Sequence, residues 1–125
     1  PIQSGNTRTL THMNRYSDVE KIKSAFIRLK KANTDLTLAT HCIVGFPSET
    51  DQEFKETLDF IKATNLDLGI IMSMSIKTDT EAESIEPKIS REEISKRLRS
   101  AQKYLRNSGY KTFIVKGTLY YRKKR

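Results

Sequence analysis

The residues with the most chemical promise lie in one run, Ile43-Val44-Gly45-Phe46-Pro47-Ser48-Glu49-Thr50. A glycine directly after an apolar, β-branched stretch lets a ligand approach the backbone, because no Cβ stands in the way. Open α/β sheets and α/β barrels bind their ligands at that carboxyl end of the strands. Pro47 stiffens the turn, and a helix starting behind it offers free amides. Read locally, the same residues also suit an ordinary strand-to-helix turn. The opening run Pro1-Ile2-Gln3-Ser4-Gly5 has the same grammar: an apolar extended start, two polar side chains, then a flexible residue. Gln3 and Ser4 could hydrogen-bond a small molecule or their own loop. His12 reads as a surface or internally satisfied side chain. His41 and Cys42 are neighbours on a predicted strand, so they point to opposite faces and cannot share a metal. Cys42 is the only cysteine. It reads as a small buried hydrophobe, and its solitude excludes an internal disulfide and any site built from several cysteines of this chain.

Periodicity shows which elements must position these residues. Asn6 or Thr7 can cap a short helix carrying Leu10 and Met13. Ser17 and Glu20 form a capping box before Val19, Ile22, Phe26 and Leu29, which predicts a helix over about 18–32 closed by Asn33. Residues 36–44 read as a mostly buried strand. Thr50 and Glu53 form a second capping box, with Phe54, Leu58 and Ile61 striping a helix over about 51–63. Leu68 to Met74 reads as another strand. Strand, helix and strand with short joints make a βαβ unit and call for a parallel sheet. Ser90 and Glu93 open a last helix striped by Ile94, Leu98, Ala101 and Leu105, with Gly109 just past its end. Residues 110–115 and 118–121 look like two short strands joined by Lys116-Gly117, an acceptable two-residue turn.

The chain has 125 residues, 36% hydrophobic and 30% charged, enough for one small core. No apolar run reaches the ~18 residues of a membrane span, and no signal peptide follows Pro1, so a cytoplasmic protein without a membrane is expected. The net charge of +8 is unevenly spread. Residues 1–89 hold 11 Lys and Arg against 13 Asp and Glu, whereas residues 90–125 hold 12 against 2. This divides the chain into a nearly neutral part, 1–89, and a basic helix-and-hairpin appendage, 90–125. Such a density suits a polyanionic partner, most often nucleic acid, or a solubilising surface. A basic hairpin with Tyr and Phe faces suits stacking of bases beside Lys and Arg on phosphates. The candidates are Lys111, Lys116, Tyr120, Tyr121, Arg122, Lys123, Lys124 and Arg125. The plainer alternative is a strand pair covering the sheet edge.

Taken together, Pro1-Ile2-Gln3-Ser4-Gly5, Leu10, Met13-Asn14-Arg15, Ile43 to Thr50, Phe54 and Thr57 resemble the radical SAM methylthiotransferases. These enzymes modify adenosines in transfer RNA or an aspartate of a ribosomal protein. Their wording is close to PxQSG, L, MxR, a strand ending in TDIIVGFPGET, then F and T, and order and spacing agree over roughly residues 1–85. The resemblance implies an α/β fold, half of a partial (βα)6 TIM-like barrel with parallel strands. Residues 1–3 would be the tail of its fourth strand, 36–44 the fifth and 68–75 the sixth. It implies that Gln3, Ser4 and Arg15 lie near the ribose or methionine part of S-adenosylmethionine. Gly45, Phe46 and Pro47 would lie near the adenine, and Met74 and Ser75 would approach the same pocket. Glu49 would order the loop through hydrogen bonds rather than do acid–base work.

This sequence also departs from the family. His41 stands where Asp is usual, and Ser48 replaces the Gly of GFPGET, so the turn must avoid positive φ or bear its cost. The family's 4Fe-4S cluster is held by a CxxxCxxC loop, which this chain lacks. These residues alone are therefore expected to be inactive, a fragment of a parent protein carrying the clusters, an expectation strengthened by a start partway through a motif. The alternatives are a non-catalytic RNA-binding α/β module and a fragment of another radical SAM enzyme. The tail is expected to bind transfer RNA with steep salt dependence, lost when residues 110–125 are deleted. The sheet edge beside the fourth strand is left exposed and invites dimerisation.

Overall fold

The computed structural model describes residues 2–13, 15, 18–74, 85 and 87–124. Asn6 accepts a hydrogen bond from the Thr9 amide and so caps a short first helix, α1 (Thr7–His12). The second helix, α2 (Val19–Ala32), is capped by Asp18, whose side chain accepts from Lys21. The capping residue is therefore Asp18 and not the expected Ser17, which lies outside the described residues. Of the predicted apolar stripe, Val19 is buried and Phe26 meets Phe60 edge to face, with centroids 5.7 Å apart. Leu29, by contrast, is 50% exposed.

Strand β1 (Ala39–Val44) is three residues shorter than expected. Before it, the chain is held by bonds that are not part of a ladder. Lys30 donates to the Leu36 carbonyl at 2.6 Å, and the Asp67 carboxylate accepts from the Leu38 amide at 2.8 Å. Helix α3 (Asp51–Thr64) starts on the full Thr50–Glu53 capping box and ends on Asn65, which takes the left-handed conformation (φ 55°) that suits a helix end. Strand β2 (Leu68–Ser73) pairs with β1 in parallel, completing the βαβ unit.

Helix α4 (Arg91–Asn107) leads into β3 (Tyr110–Val115) and β4 (Thr118–Lys123). At the turn between them, Lys116 and Gly117 both have positive φ, 48° and 75°, the pattern that matches hairpin twist. The hairpin does not hang beside the sheet: β4 pairs antiparallel with β2, giving one mixed sheet of order β1-β2-β4-β3. The hairpin thus forms the expected strand pair on the sheet edge. The parallel half-barrel strands thus carry an antiparallel extension.

Strand alternation divides the sheet into two faces. Cys42, Val44, Ile71, Leu119 and Tyr121 face the helices and are buried with Leu58, Ile61, Leu98, Ala101 and Leu105. On the other face, register lines up His41, Ile70, Tyr120 and Phe113 in one row and Ala39, Leu68, Arg122 and Lys111 in the next. No helix of the described residues covers these rows, and none is long and apolar enough to cross a membrane.

Candidate functional site

The carboxyl end of the two parallel strands gathers much of what the sequence singled out. Gln3 runs alongside β1, donating its amide to the His41 carbonyl (2.9 Å) and accepting from the Ile43 amide (2.7 Å). Across β1, the Met74 amide donates to the Val44 carbonyl at 2.9 Å. Gln3, Val44–Gly45 and Met74 thus form one rim. Gln3 has φ 75°, a strained conformation for a residue with a Cβ, and its Oε1 is buried without a hydrogen-bond partner. A strained backbone and an unpaired buried acceptor thus coincide at this strand end.

The other residues expected near a ligand are mostly buried. The Ser4 hydroxyl is fully buried, 3.2 Å from the Thr57 hydroxyl, and accepts from the Asn6 amide at 3.1 Å. Phe46 and Pro47 are buried as well. Arg15 is exposed, its amide donating to the Leu10 carbonyl at 2.9 Å. Gly45 has φ 87°, and a Cβ there would come within 2.6 Å of Ile94. The glycine is therefore required by the approach of α4 as well as by its backbone. Ser75 lies outside the described residues.

Glu49 does order the loop, as expected, and does so with a partner that sequence reasoning missed. Its Oε1 accepts from the Gly45 amide (2.9 Å) and from Arg97 Nη1 (3.2 Å), while Arg97 Nη2 donates to the Glu49 carbonyl at 3.0 Å. Arg97 is only 7% exposed and also meets Asp51 at 2.9 Å and Glu93 at 3.4 Å. Burial pushes the Glu49 carboxyl up to about 7, against the downward pull of the Gly45 amide and Arg97. A signal was present: in the stripe Ile94, Leu98, Ala101, position 97 falls on the apolar face, where a charge needs a buried partner.

A second missed residue, Arg8, braces the same turn. It donates to Glu53 at 2.6 and 2.8 Å, to the Ser48 carbonyl at 3.2 Å and to the Ser48 hydroxyl at 3.1 Å. The Ser48 hydroxyl also lies 3.2 Å from His12 Nδ1. Ser48 adopts φ 69°, so the turn keeps the glycine-like conformation, and these bonds offset its strain.

Cys42 is fully buried on the helix-facing side, and burial raises its thiol to about 12. It is unsuited to ligating a cluster. Among the described residues, no group of three or more His, Cys, Asp or Glu side chains could hold a metal.

The predicted nucleic-acid residues divide between the two faces. Tyr120, Arg122 and Lys111 share the open face. Tyr121 does not join them: it is 3% exposed and packs edge to face on Tyr110, centroids 5.5 Å apart. Period-two alternation places adjacent tyrosines on opposite faces, so only one could serve. Lys123 is half-buried on the other side and donates its amide to the Asp67 carbonyl. Lys116 is exposed at the hairpin turn, Lys124 is exposed beyond β4, and Arg125 lies outside the described residues.

A model of the radical SAM superfamily matches residues 1–61. A solved structure of coproporphyrinogen III oxidase (HemN) from Escherichia coli, a radical SAM enzyme, superimposes with a TM-score of 0.77. It covers 94% of this chain and 28% of that one at 20% identity, a likeness of fold. The fold is thus that of a radical SAM TIM-like half-barrel. The tRNA-2-methylthio-N(6)-dimethylallyladenosine synthase of Sodalis glossinidius is 36% identical over 102 residues, 82% of this chain and 22% of that protein. The synthase of the same name from Clostridium botulinum is 37% identical over 89 residues, 71% of this chain and 20% of that protein. The chain belongs to the radical SAM methylthiotransferase family, and it spans about a fifth of the length of these curated relatives.

Proposed function

We propose that this chain forms part of the S-adenosylmethionine pocket of a methylthiotransferase-like enzyme that thiomethylates transfer RNA, or else a ribosomal protein. The observation that carries the reading is the rim at which Gln3, Gly45 and Met74 meet, with the buried, unanswered Gln3 Oε1 among them. The cofactor's amino and hydroxyl groups would supply the donors that this oxygen lacks. Its adenine would rest against the backbone of the Gly45 turn, which Arg97 and Arg8 hold from two sides. The relatives named for a transfer-RNA modification support the substrate, and such a substrate implies a cytoplasmic protein. The residues present do not fit a 4Fe-4S cluster, so in this reading the clusters belong to other parts of a parent protein, and this chain alone is inactive. Lys111, Lys116, Arg122 and Lys124 would meet RNA phosphates. The edge beyond Gln3, where a single bridge flanks β1, is where a second copy would pair.

Titration of S-adenosylmethionine into the isotope-labelled chain tests the pocket. The expected result is amide shift changes clustered at residues 2–4, 44–46 and 74, with Gln3→Ala weakening binding roughly fivefold to tenfold for one lost hydrogen bond. Changes scattered elsewhere, or none at millimolar cofactor, would sink the reading.

A further inference from the structure

Phe113 and Tyr120 lie opposite each other in register on the open face of the sheet, rings stacked 5.0 Å apart and tilted by 10°. They are 58% and 38% exposed. Such an uncovered aromatic pair marks an interaction surface. His41 and Ile70 continue its row, and Lys111 and Arg122 face each other in the next. Lys124 and Arg106 line the same concavity of about 810 Å³, and no Asp or Glu of the described residues does.

We propose that this face is a stacking site for an unpaired base of single-stranded RNA, with the neighbouring phosphates running along the Lys111–Arg122 row. A base can extend the Phe113–Tyr120 stack with its own π-face, whatever its identity, and the flanking cations supply the charge match. A second copy of this chain fits less well, because it would bring like charges together in the same cavity. The row of Arg122 and Lys111 aligns with Ala39 and Leu68, the first residues of β1 and β2. The phosphate row thus lies at the opposite end of the parallel strands from the Gly45 rim, whereas the Phe113–Tyr120 pair aligns with His41 and Ile70, midway along them. The stacking site rests on the proposed function only in taking transfer RNA as the source of the strand.

The test is fluorescence anisotropy of a labelled eight-nucleotide single-stranded RNA and of its duplex, with the full chain across a salt series. The single strand should bind more tightly than the duplex. Phe113→Ala and Tyr120→Ala should each weaken it roughly tenfold or more, and Phe113→Trp should retain binding. Lys111→Gln and Arg122→Gln should each lower the slope of log affinity against log salt by about 0.7. Both aromatic positions are exposed, so circular dichroism should show unchanged folding. Alanine variants that bind like the parent would overturn the proposal, as would no RNA binding at low salt. A concentration-dependent dimer abolished by Phe113→Ala would reassign the face to self-association. RNA binding with no cofactor response at Gln3 and Gly45 would remove the cofactor reading alone; the converse would remove only this one.

Discussion

At the scale of single residues, the turn after β1 is held by charges that reach it from both sides. Arg97 grips Glu49 from α4, and Arg8 grips Ser48 and Glu53 from α1. Glu49 carries a pH dependence whose sign follows from burial. Its carboxyl keeps a proton up to about 7 in the folded chain, against an ordinary 4.5. Between those values the folded state binds more protons than the unfolded state, so stability falls as pH rises through the window. Urea melts from pH 4.5 to 8 should show a loss of about 1–3 kcal/mol across it, and Glu49→Gln should flatten the curve. If the parent instead gains stability over that range relative to the variant, Arg97 holds Glu49 ionised and the assignment is wrong. The motif gave Glu49 its loop-ordering role, but its partner is 48 residues away, a distance that periodicity cannot bridge.

At the scale of elements, local signals were most reliable where the chain satisfies its own backbone. Thr50 and Glu53 cap α3 reciprocally, and Ser90 caps α4 by accepting from Glu93. The signals failed where a tertiary contact took over. Leu36 to Leu38 were expected in the strand, but Lys30 and Asp67 capture their polar groups. The hairpin turn is a further case. Lys116 has a Cβ in a position with φ 48°, where Asn is better tolerated. Lys116→Asn should therefore raise the unfolding free energy by roughly 0.5–1 kcal/mol. A lower denaturation midpoint would show that the lysine side chain makes a compensating contact.

At the scale of the whole molecule, the basic tail and the neutral remainder share one sheet and one core. Leu119 and Tyr121 of β4 and Tyr110 of β3 are buried beside Ile71 and Cys42, and Tyr110 donates its hydroxyl to the Leu66 carbonyl at 2.6 Å. Deleting residues 110–125 would remove part of that core, so charge-neutralising substitutions on the open face are the sounder test of RNA binding. Leu119→Ala should cost about 2–5 kcal/mol and lower the melting of the β1–β2 pair together with the hairpin. Hydrogen exchange that leaves β1 and β2 protected while the hairpin opens would contradict a single cooperative unit.

The sequence alone determined the family resemblance, the βαβ unit, the caps of α3 and α4, the hairpin turn and the burial of Cys42. Each of these depends on residues close together in the chain or on fixed motif spacing. Tertiary structure decided that β4 inserts beside β2, that Arg97 closes over the turn, and that Ser4 and Tyr121 face inward. It also placed Phe113 beside Tyr120 above a row of cations. The sheet outcomes depend on strand order and register, because one choice of neighbour for β2 fixes which side chains line the open face and which enter the core, whereas Arg97 and Ser4 meet partners 48 and 53 residues away.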